Sequence, residues 1–595
     1  MAADGSNKIE KIRHSLAHLL AMAVLKKHPS VKLGIGPVIE NGFYYDFDFN
    51  KEIFSDKDLP GLEKIIKEFI KEDLIFKKEK IEHKEAKEIF SEQPYKLELI
   101  EELKKSKKPI TTYTTYDLRL TTDFIDLCAG PHVKSTKEIN PDAFKLLRIA
   151  GAYWRGSEKN PMLTRIYGVA FETKQELVEY LKIQEEIEKR DHRILGEKLE
   201  LFFIDEKIGK GLPLWLPNGY FIRRQLEDYI YNLEKENGYQ HVLTPILAKE
   251  NLYKTSGHLA HYKNDMYSPI EIEGDKFYLR PMNCPHHHSI YSHKIRSYRD
   301  LPLRIAEFGN VFRFERSGVL SGMFRTRGFT QNDAHIYASQ KHLEKEIKSI
   351  LNLHNKVFKD FGISDYWYRL SLPDFKNKEK FGDIKNKKMW DDGADILRKV
   401  LEKLNFKFIE AVGEASFYGP KIDIQIKNVH GKEDTIATIQ VDYYSADKFN
   451  LGYIDKDGKE KPPVIIHRAI FGSFERFFAL LLERTAGHLP LWLSPVQAAI
   501  INVGEAHKKY AEEIFNLLKA EGIRAEFSGE DTVGKRIREA ELQKIPYILV
   551  VGDKEVQNKT VNVRHYKEGQ KGEIGLGELI EKIKKEIEEK SLTAI

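Results

Sequence analysis

Apolar spacing along the first third of the chain alternates between helical and strand periods. "LAHLLAMAVL" (16–25), following "KIEKIR", reads as an amphipathic helix, and "GFYYDFDF" (42–49) reads as a strand. "TKQELVEYLKIQEEIEKRDHRILGEKL" (173–199) is charged and poor in Gly and Pro, and it predicts a connecting helix between domains. From about residue 200, strands, turns and long amphipathic helices continue to "HLPLWLSPVQ" (488–497), where two prolines mark a boundary. Beyond it "QAAIINVG" predicts a strand, "AHKKYAEEIFNLLKAEG" a helix ending at Gly522, "PYILVVGDKEV" a strand and "LGELIEKIKKEIEEK" a last helix. That alternation suggests a small α/β domain.

Composition narrows the class. A chain of 595 residues exceeds one core, and 41% hydrophobic with 31% charged residues describes a globular protein. The net charge of +5 permits a nucleic-acid partner without arguing for one, so any RNA surface must be local. Two cysteines, Cys128 and Cys284, exclude a disulfide framework and suggest a reducing, cytoplasmic setting. No apolar run is long enough to span a bilayer, so no membrane partner is expected.

Five arginines, Arg304, Arg313, Arg316, Arg325 and Arg327, surround "FRFERSGVLSGMFRTRGFTQNDAHIY" (312–337). "LPLRIAEFGNVFRFERSG" (301–318) reads as a strand ending near Gly318, and "RTRGFTQNDAHIY" (325–337) as its return. Such a strand–loop–strand would grip a phosphate chain from two sides; surface arginines on a hairpin remain the alternative. In "PPVIIHRAIFGSFERFFALLLERTAG" (462–487), Phe474, Phe477, Phe478, Leu481 and Leu482 form a core-facing helical stripe. Arg476 flanks the stripe near the helix N-terminus, where anions are favoured.

These stretches resemble the three motifs of class II aminoacyl-tRNA synthetases: "QHVLTPI" with Pro245, "FRFE" with Arg313 and Glu315, and "GSFERF" with Arg476. "RPMNCP", "TQNDAHIY", "FYGPKID", "TIQVDY" and "VIIHRAIFGS" narrow the resemblance to the threonyl branch of that class. The resemblance implies an α+β multidomain fold: an editing domain over 1–172, a connecting helix over 173–199, an antiparallel-sheet catalytic core over 200–493 and an α/β anticodon-binding domain over 494–595. It implies ATP, brought with Mg2+, on Arg313 (α-phosphate), Arg325 (γ-phosphate), Glu315 (adenine amino group), Phe329 and Arg476 (around the ring). Threonine would meet Gln331, Asp333 and Ser473, and one Zn2+ would sit on Cys284, His335 and His467. Lys421 and His258 align with catalytic-pocket residues, His258 with the transfer to threonine tRNA. A homodimer through the catalytic domain is expected. Spacing alone gives no metal signal for Cys284, His335 and His467. Three departures stand out: His286 follows "NCP" in place of Gly or Asn, and its histidine neighbours are candidates to compete for metal. Thr435 stands where many relatives have glutamine, and Arg316 where many have proline. The ubiquitin-like module that opens many relatives is not found ahead of the first helix.

"HSLAHLLA" sets His14 and His18 four apart on a helix face, and "DLCAGPH" sets Cys128 and His132 four apart in a Gly/Pro loop. Read from spacing, a four-ligand zinc site and two unrelated pairs are both open. The pattern resembles the editing domains of threonyl- and alanyl-tRNA synthetases, and the threonyl type implies hydrolysis of mis-charged seryl-tRNA without zinc, with Tyr45, Lys96 and Asp126 in the same pocket. A second sieve has a physical basis: serine keeps the hydroxyl and lacks one methyl, worth only about 1–3 kcal/mol of discrimination. In the last domain "GDKEV" with Glu555 and "VNVRHY" with Arg564 align with residues that read anticodon bases. Outside the ligase reading, two alternatives remain: a catalytically idle RNA-binding regulator and a free-standing zinc deacylase.

Overall fold

In the computed structural model the described residues are 7–50, 52–116, 124–157, 159–377, 381, 387–527 and 530–590. The chain divides into two compact units, Met1–Glu186 and Ile187–Ile595.

In the first unit the helix Lys8–Lys27 buries Leu16, Leu19, Leu20 and Val24 in a core completed by Phe43, Tyr45 and Phe47 of the strand Gly42–Asp48. That strand lies in a five-stranded sheet beside Met162–Ala170, which pairs in turn with Phe144–Tyr153. A separate antiparallel sheet runs Ile75–Lys80, Thr111–Tyr116, Phe124–Leu127.

The second unit is built on an eight-stranded sheet in the order Gln240–His241, Leu303–Phe312, Gly328–Ala338, Val464–Ser473, Glu433–Asp442, Lys421–Lys427, Tyr366–Leu372, Phe408–Val412. Its interior pairs are antiparallel and only the two outermost pairs are parallel. Ser473 ends one central strand and caps the helix Phe474–Thr485, its Oγ accepting the Arg476 amide at 3.1 Å. Phe474, Phe477, Phe478, Leu481 and Leu482 all face the core, as the stripe predicts.

Several boundaries differ from expectation. The first arm of the arginine hairpin stops at Phe312 rather than near Gly318, because the Phe314 amide leaves the ladder for the Asp265 carbonyl. The return begins at Gly328 rather than at 325, because the Arg327 amide bonds to the Gly211 carbonyl. The connecting helix over 173–199 is two helices, Lys174–Arg190 and His192–Lys198. Asp191 breaks it: its carboxylate takes the Arg193 amide at 2.8 Å and starts the second helix. The strand read from "PYILVVGDKEV" ends at Val551, and Glu555 lies on the following helix Asp553–Asn558. The C-terminal domain, a mixed five-stranded sheet with helices, meets the catalytic core where Arg524 donates to the carbonyls of Ser494 and Trp492 at 3.0 and 3.1 Å. Among the described residues no helix is long and apolar enough to cross a membrane.

One buried charge cluster ties the helix Pro217–Glu236 to the sheet. Glu234 lies 2.7 Å from Arg468 and from the half-buried His241 and accepts the Asn332 amide at 2.8 Å, with Glu234, Arg468 and Asn332 fully buried. Arg468 also stacks over Tyr239 at 4.2 Å. Removing one member leaves a buried guanidinium uncompensated. Glu234→Ala is therefore expected to destabilise the core by about 3–5 kcal/mol, read as a lowered midpoint of its unfolding transition in urea.

Candidate active sites

The central sheet and the helix after it enclose a cavity of about 410 Å³. Arg313, Arg325 and Arg476 converge on it, with Glu315, Phe329, Gln331, Asp333, Lys421 and Ser473. Arg313 stands over the Phe329 ring at 5.1 Å and donates to the Pro281 carbonyl at 3.3 Å. Arg476 donates to the carbonyls of Thr435 at 2.6 Å and Phe324 at 3.1 Å. Arg325 rests on the Glu315 carboxylate at 2.9 Å, a half-exposed pair that an incoming anion would exchange. The other three arginines of the hairpin lie outside this cavity. Arg304 is taken by Glu346 through two bonds of 2.8 Å, Arg327 donates to the Glu315 carbonyl and Ser317, and Arg316 does not line the wall. At the position expected to hold glutamine, Thr435 faces the cavity and its hydroxyl takes the Gln425 amide at 2.6 Å.

Cys284, His335 and His467 share the floor of the cavity, and one potential ligand atom from each lies within 4.8 Å of the others. The two histidines face each other as a register pair of adjacent strands. His467 has Nε2 on the Asp442 carboxylate at 2.9 Å, so Nδ1 remains for ligation. His335 Nδ1 lies 2.8 Å from His287 Nδ1, and His287 Nε2 lies 3.0 Å from Glu307. Because Glu307 accepts from Nε2, His287 accepts at Nδ1, and His335 keeps an unprotonated Nε2. Burial holds His335 well below the ordinary imidazole range and pushes the Cys284 thiol well above its own. Two imidazoles, each oriented by an outer partner, and a thiol fit a zinc-type ion with an open position. His286 and His288 do not join the cluster: His286 is buried away from the cavity wall beside the Leu247 backbone, and His288 bonds to the Tyr337 hydroxyl at 2.9 Å.

His258 and Lys421 are placed differently. Lys421 pairs with Asp423 at 3.0 Å at the cavity edge. His258 is buried behind the wall, with Nδ1 2.8 Å from Ser256 Oγ and Nε2 unpartnered, and the wall itself carries His261 and Tyr262. Burial, with Arg313 nearby, lowers His258 to about 3. Sequence reasoning did not single out Tyr418, which stacks on His467 at 4.7 Å, nor Gln440, whose carbonyl accepts from Tyr418 at 2.6 Å and Ser416 at 2.7 Å. Their motifs were legible, but cross-strand pairing alone brings them to the cluster.

The first unit holds a second cavity, of about 640 Å³. Four of the seven expected residues line it, His14, Lys96, Asp126 and Cys128, and the other three pack behind them: His18 and His132 lie within ligand distance of His14 and Cys128, and Lys96 sits between Asp126 at 2.5 Å and Tyr45 at 3.0 Å. Tyr45 donates to Asp126 at 2.7 Å, and His18 lies 3.5 Å from the same carboxylate. The proton arrangement is determined. The Pro131 carbonyl only accepts, so His14 donates from Nδ1 (3.1 Å) and accepts at Nε2 from the Cys128 thiol (3.3 Å). The sulfur then accepts from His132 Nε2 (3.4 Å), whose Nδ1 accepts from Ser15 (3.1 Å). Burial pushes Cys128 up to about 12 and holds His14, His18 and His132 below the ordinary imidazole value. In the C-terminal domain Arg564 is half-exposed and pairs with Glu541 at 2.8 Å. The Glu555 carboxylate is turned inward and accepts its own helix's Gly552 amide at 2.9 Å.

Three domain families match the chain: the tRNA synthetase class II core domain (G, H, P, S and T) over residues 266–485, the anticodon binding domain over 497–586, and the threonyl and alanyl tRNA synthetase second additional domain over 115–167. The threonine–tRNA ligase of Anoxybacillus flavithermus is 46% identical over 588 residues, 98% of this chain and 90% of that one. That of Staphylococcus aureus is 47% identical over 561 residues, 94% and 85% of the two chains. The chain belongs to the threonine–tRNA ligase family. Among solved structures, the RNA binding domain of threonyl-tRNA synthetase from Cryptosporidium parvum superposes with a TM-score of 0.61 at 36% identity, over 66% of this chain and 98% of that one. The prolyl-tRNA synthetase of Giardia lamblia, at 18% identity and a TM-score of 0.55 over 69% and 80% of the chains, shares the fold. The central cavity accordingly lies within a class II core domain.

The buried histidines of this ligase core carry a pH consequence. His258 and His288 are both lowered to about 3 by burial, and so is His354 on the helix Leu343–Asp360. Unfolding returns each to about 6.5, so below that pH the unfolded chain binds more protons than the folded one. The stability they leave intact is fully present above about pH 6.5 and is lost as pH falls toward 3. Each contributes a slope of up to about 1.4 kcal/mol per pH unit. Calorimetric melting of the core is expected to shift down between pH 7 and 5, and less steeply in His354→Leu.

Proposed function

We propose that the central cavity activates threonine with ATP and passes it to the 3′ end of threonine tRNA, and that the first unit hydrolyses seryl-tRNA. The observation that carries this reading is the convergence of three guanidiniums with the Cys284–His335–His467 trio in one cavity. In the first step a carboxylate oxygen of threonine attacks the α-phosphorus of ATP, brought with Mg2+, and pyrophosphate leaves. Arg313 holds the α-phosphate and Arg325 the γ-phosphate, neutralising charge that grows as the bond breaks. Phe329 and Arg476 flank the adenine, and Glu315 accepts from its amino group. Gln331, Asp333 and Ser473 orient the amino acid. Cys284, His335 and His467 would hold Zn2+, which when bound supplies a Lewis-acidic site for the amine and hydroxyl of threonine. A demand for a hydroxyl rejects valine far better than an apolar pocket does.

In the second step a hydroxyl of the terminal adenosine attacks the carbonyl carbon and AMP leaves. His258, neutral and with a free Nε2, is suited to take the hydroxyl proton once the wall opens toward it, and Lys421 offsets phosphate charge. Editing uses the N-terminal cavity: His14, His18, Cys128 and His132 hold and move protons around a water that attacks the seryl ester, with Lys96, Asp126 and Tyr45 fixing the substrate amine and ribose. Arg564 and Glu555 belong to the face that reads the anticodon, Glu555 by shaping its helix. We place the protein in the cytoplasm as a homodimer through the catalytic domain.

The test of synthesis is ATP–pyrophosphate exchange with single amino acids on zinc-replete protein. Strong exchange with threonine, weaker with serine and negligible with valine is expected; absence of exchange with all three would sink the reading. For editing, His132→Ala is expected to slow seryl-tRNA hydrolysis roughly 10²-fold or more while leaving threonine-dependent exchange unchanged. An equal loss of both activities would remove the assignment of hydrolysis to the first unit.

A further inference from the structure

The loop over residues 313–327 carries Glu315 and Arg325, yet its middle is fastened by a residue far away in sequence. His192, the first residue of the helix His192–Lys198, is buried beneath it. The Met323 amide donates to His192 Nε2 at 3.1 Å, so that nitrogen is unprotonated. The proton is therefore on Nδ1, which donates to Glu483 Oε1 at 2.7 Å. Glu483 lies on the helix that bears Arg476, and its second oxygen accepts the Val429 amide at 3.2 Å. Asp191, His192 and Glu483 have the proximity of a metal trio, but both imidazole nitrogens are engaged and Asp191 is held by Arg193. The trio is a hydrogen-bond junction.

The loop is shaped to this imidazole. Gly322 sits at φ +48°, and a Cβ there would come within 2.3 Å of His192 Nε2. Phe324 packs edge-on to the His192 ring at 5.0 Å, and its carbonyl accepts from Arg476 at 3.1 Å. Two successive residues of the loop are thus gripped from opposite sides, Met323 by His192 and Phe324 by Arg476. The next residue is Arg325, and Phe324, Arg325 and Thr326 all line the cavity.

We propose that His192 is a positioning residue of the ATP half-site, acting through the Met323 amide to hold Arg325 and the Arg476 contact in their nucleotide-binding places. This rests on the ligase reading for what the cavity binds, and the contact itself is independent of it. Two substitutions separate the halves of the junction. His192→Asn keeps a donor near Glu483 and is too short to reach Met323, whereas His192→Gln carries a carbonyl to the position of Nε2.

Threonine-dependent pyrophosphate exchange and calorimetric ATP binding would be measured on the full chain. In His192→Asn the KM and Kd for ATP are expected to rise roughly tenfold, the loss of one buried hydrogen bond, with the KM for threonine within about twofold of wild type. His192→Gln is expected to recover most of the ATP affinity. Gly322→Ala, which leaves His192 in place but forces the loop off it, should reproduce the ATP-specific defect, and it carries the test if His192→Asn does not fold. Unchanged ATP parameters in His192→Asn and Gly322→Ala, a parallel rise in both KM values, or Gln no better than Asn would overturn the assignment. Wild-type protein that binds ATP without threonine-dependent exchange would overturn the ligase reading instead, while the ATP Kd of the variants would still decide the role of His192.

Discussion

The site depends first on strand register. His335 and His467 are direct partners across an antiparallel pair, and Gln331 faces Ser473 on the same pair. Side chains alternate between faces, so a slip of one residue in either strand would turn its histidine away from Cys284 and bury the wrong set in the cavity. The same central strand ends at Ser473 and passes into the helix that presents Arg476. One register therefore sets the metal-type trio, the cavity wall at Gln331 and Ser473, and the place of Arg476 together. Gln331, Asp333 and His335 alternate onto one face of their strand and all line the cavity, with a register shift between the first two.

Electrostatics explain why the surrounding structure is so tightly packed. Of the three guanidiniums that face the cavity, Arg325 is ion-paired, with Glu315, among the described residues. A group of histidines beside them is kept neutral by burial. The unpaired guanidiniums oppose folding and favour an anionic ligand, and the histidines oppose folding as pH falls below about 6.5. The opposing stabilisation lies elsewhere: in the helix stripe over the sheet, in the Glu234–Arg468–His241 cluster beneath it, and in the carboxylates behind His467 and His287.

What the sequence disclosed follows from how far each signal reaches along the chain. The stripe of Phe474, Phe477, Phe478, Leu481 and Leu482 is local, and periodicity finds it. Cys284, His335 and His467 are separated by 51 and 132 residues and carry no spacing signature, so resemblance alone joined them until the sheet put two of them opposite each other. The hairpin arms were read too long because an amide that leaves the ladder for a distant carbonyl, as at Phe314 and Arg327, leaves no trace in hydropathy. The split at Asp191 did leave one: an aspartate two residues before Arg193 is an N-cap signal inside a helical pattern. Glu555, read as part of a strand, is likewise a capping residue at the third position of its helix.

The two cysteine–histidine clusters look alike in composition and differ in where their protons lie. In the central cavity the ring nitrogens pointing away from the cluster are occupied by Asp442 and His287, which leaves the inward nitrogens as free lone pairs beside a thiol. Such a set gains by losing the thiol proton to a cation. In the first unit the chain from Ser15 through His132 and Cys128 to His14 and Pro131 is closed: each of those donors has an acceptor within the cluster, and the thiol proton is already used. A cation there would have to break that chain. A closed chain of hydrogen bonds suits the relay of protons to and from water, as the proposed ester hydrolysis requires. The outer partners of the histidines, more than the histidines themselves, separate the two roles.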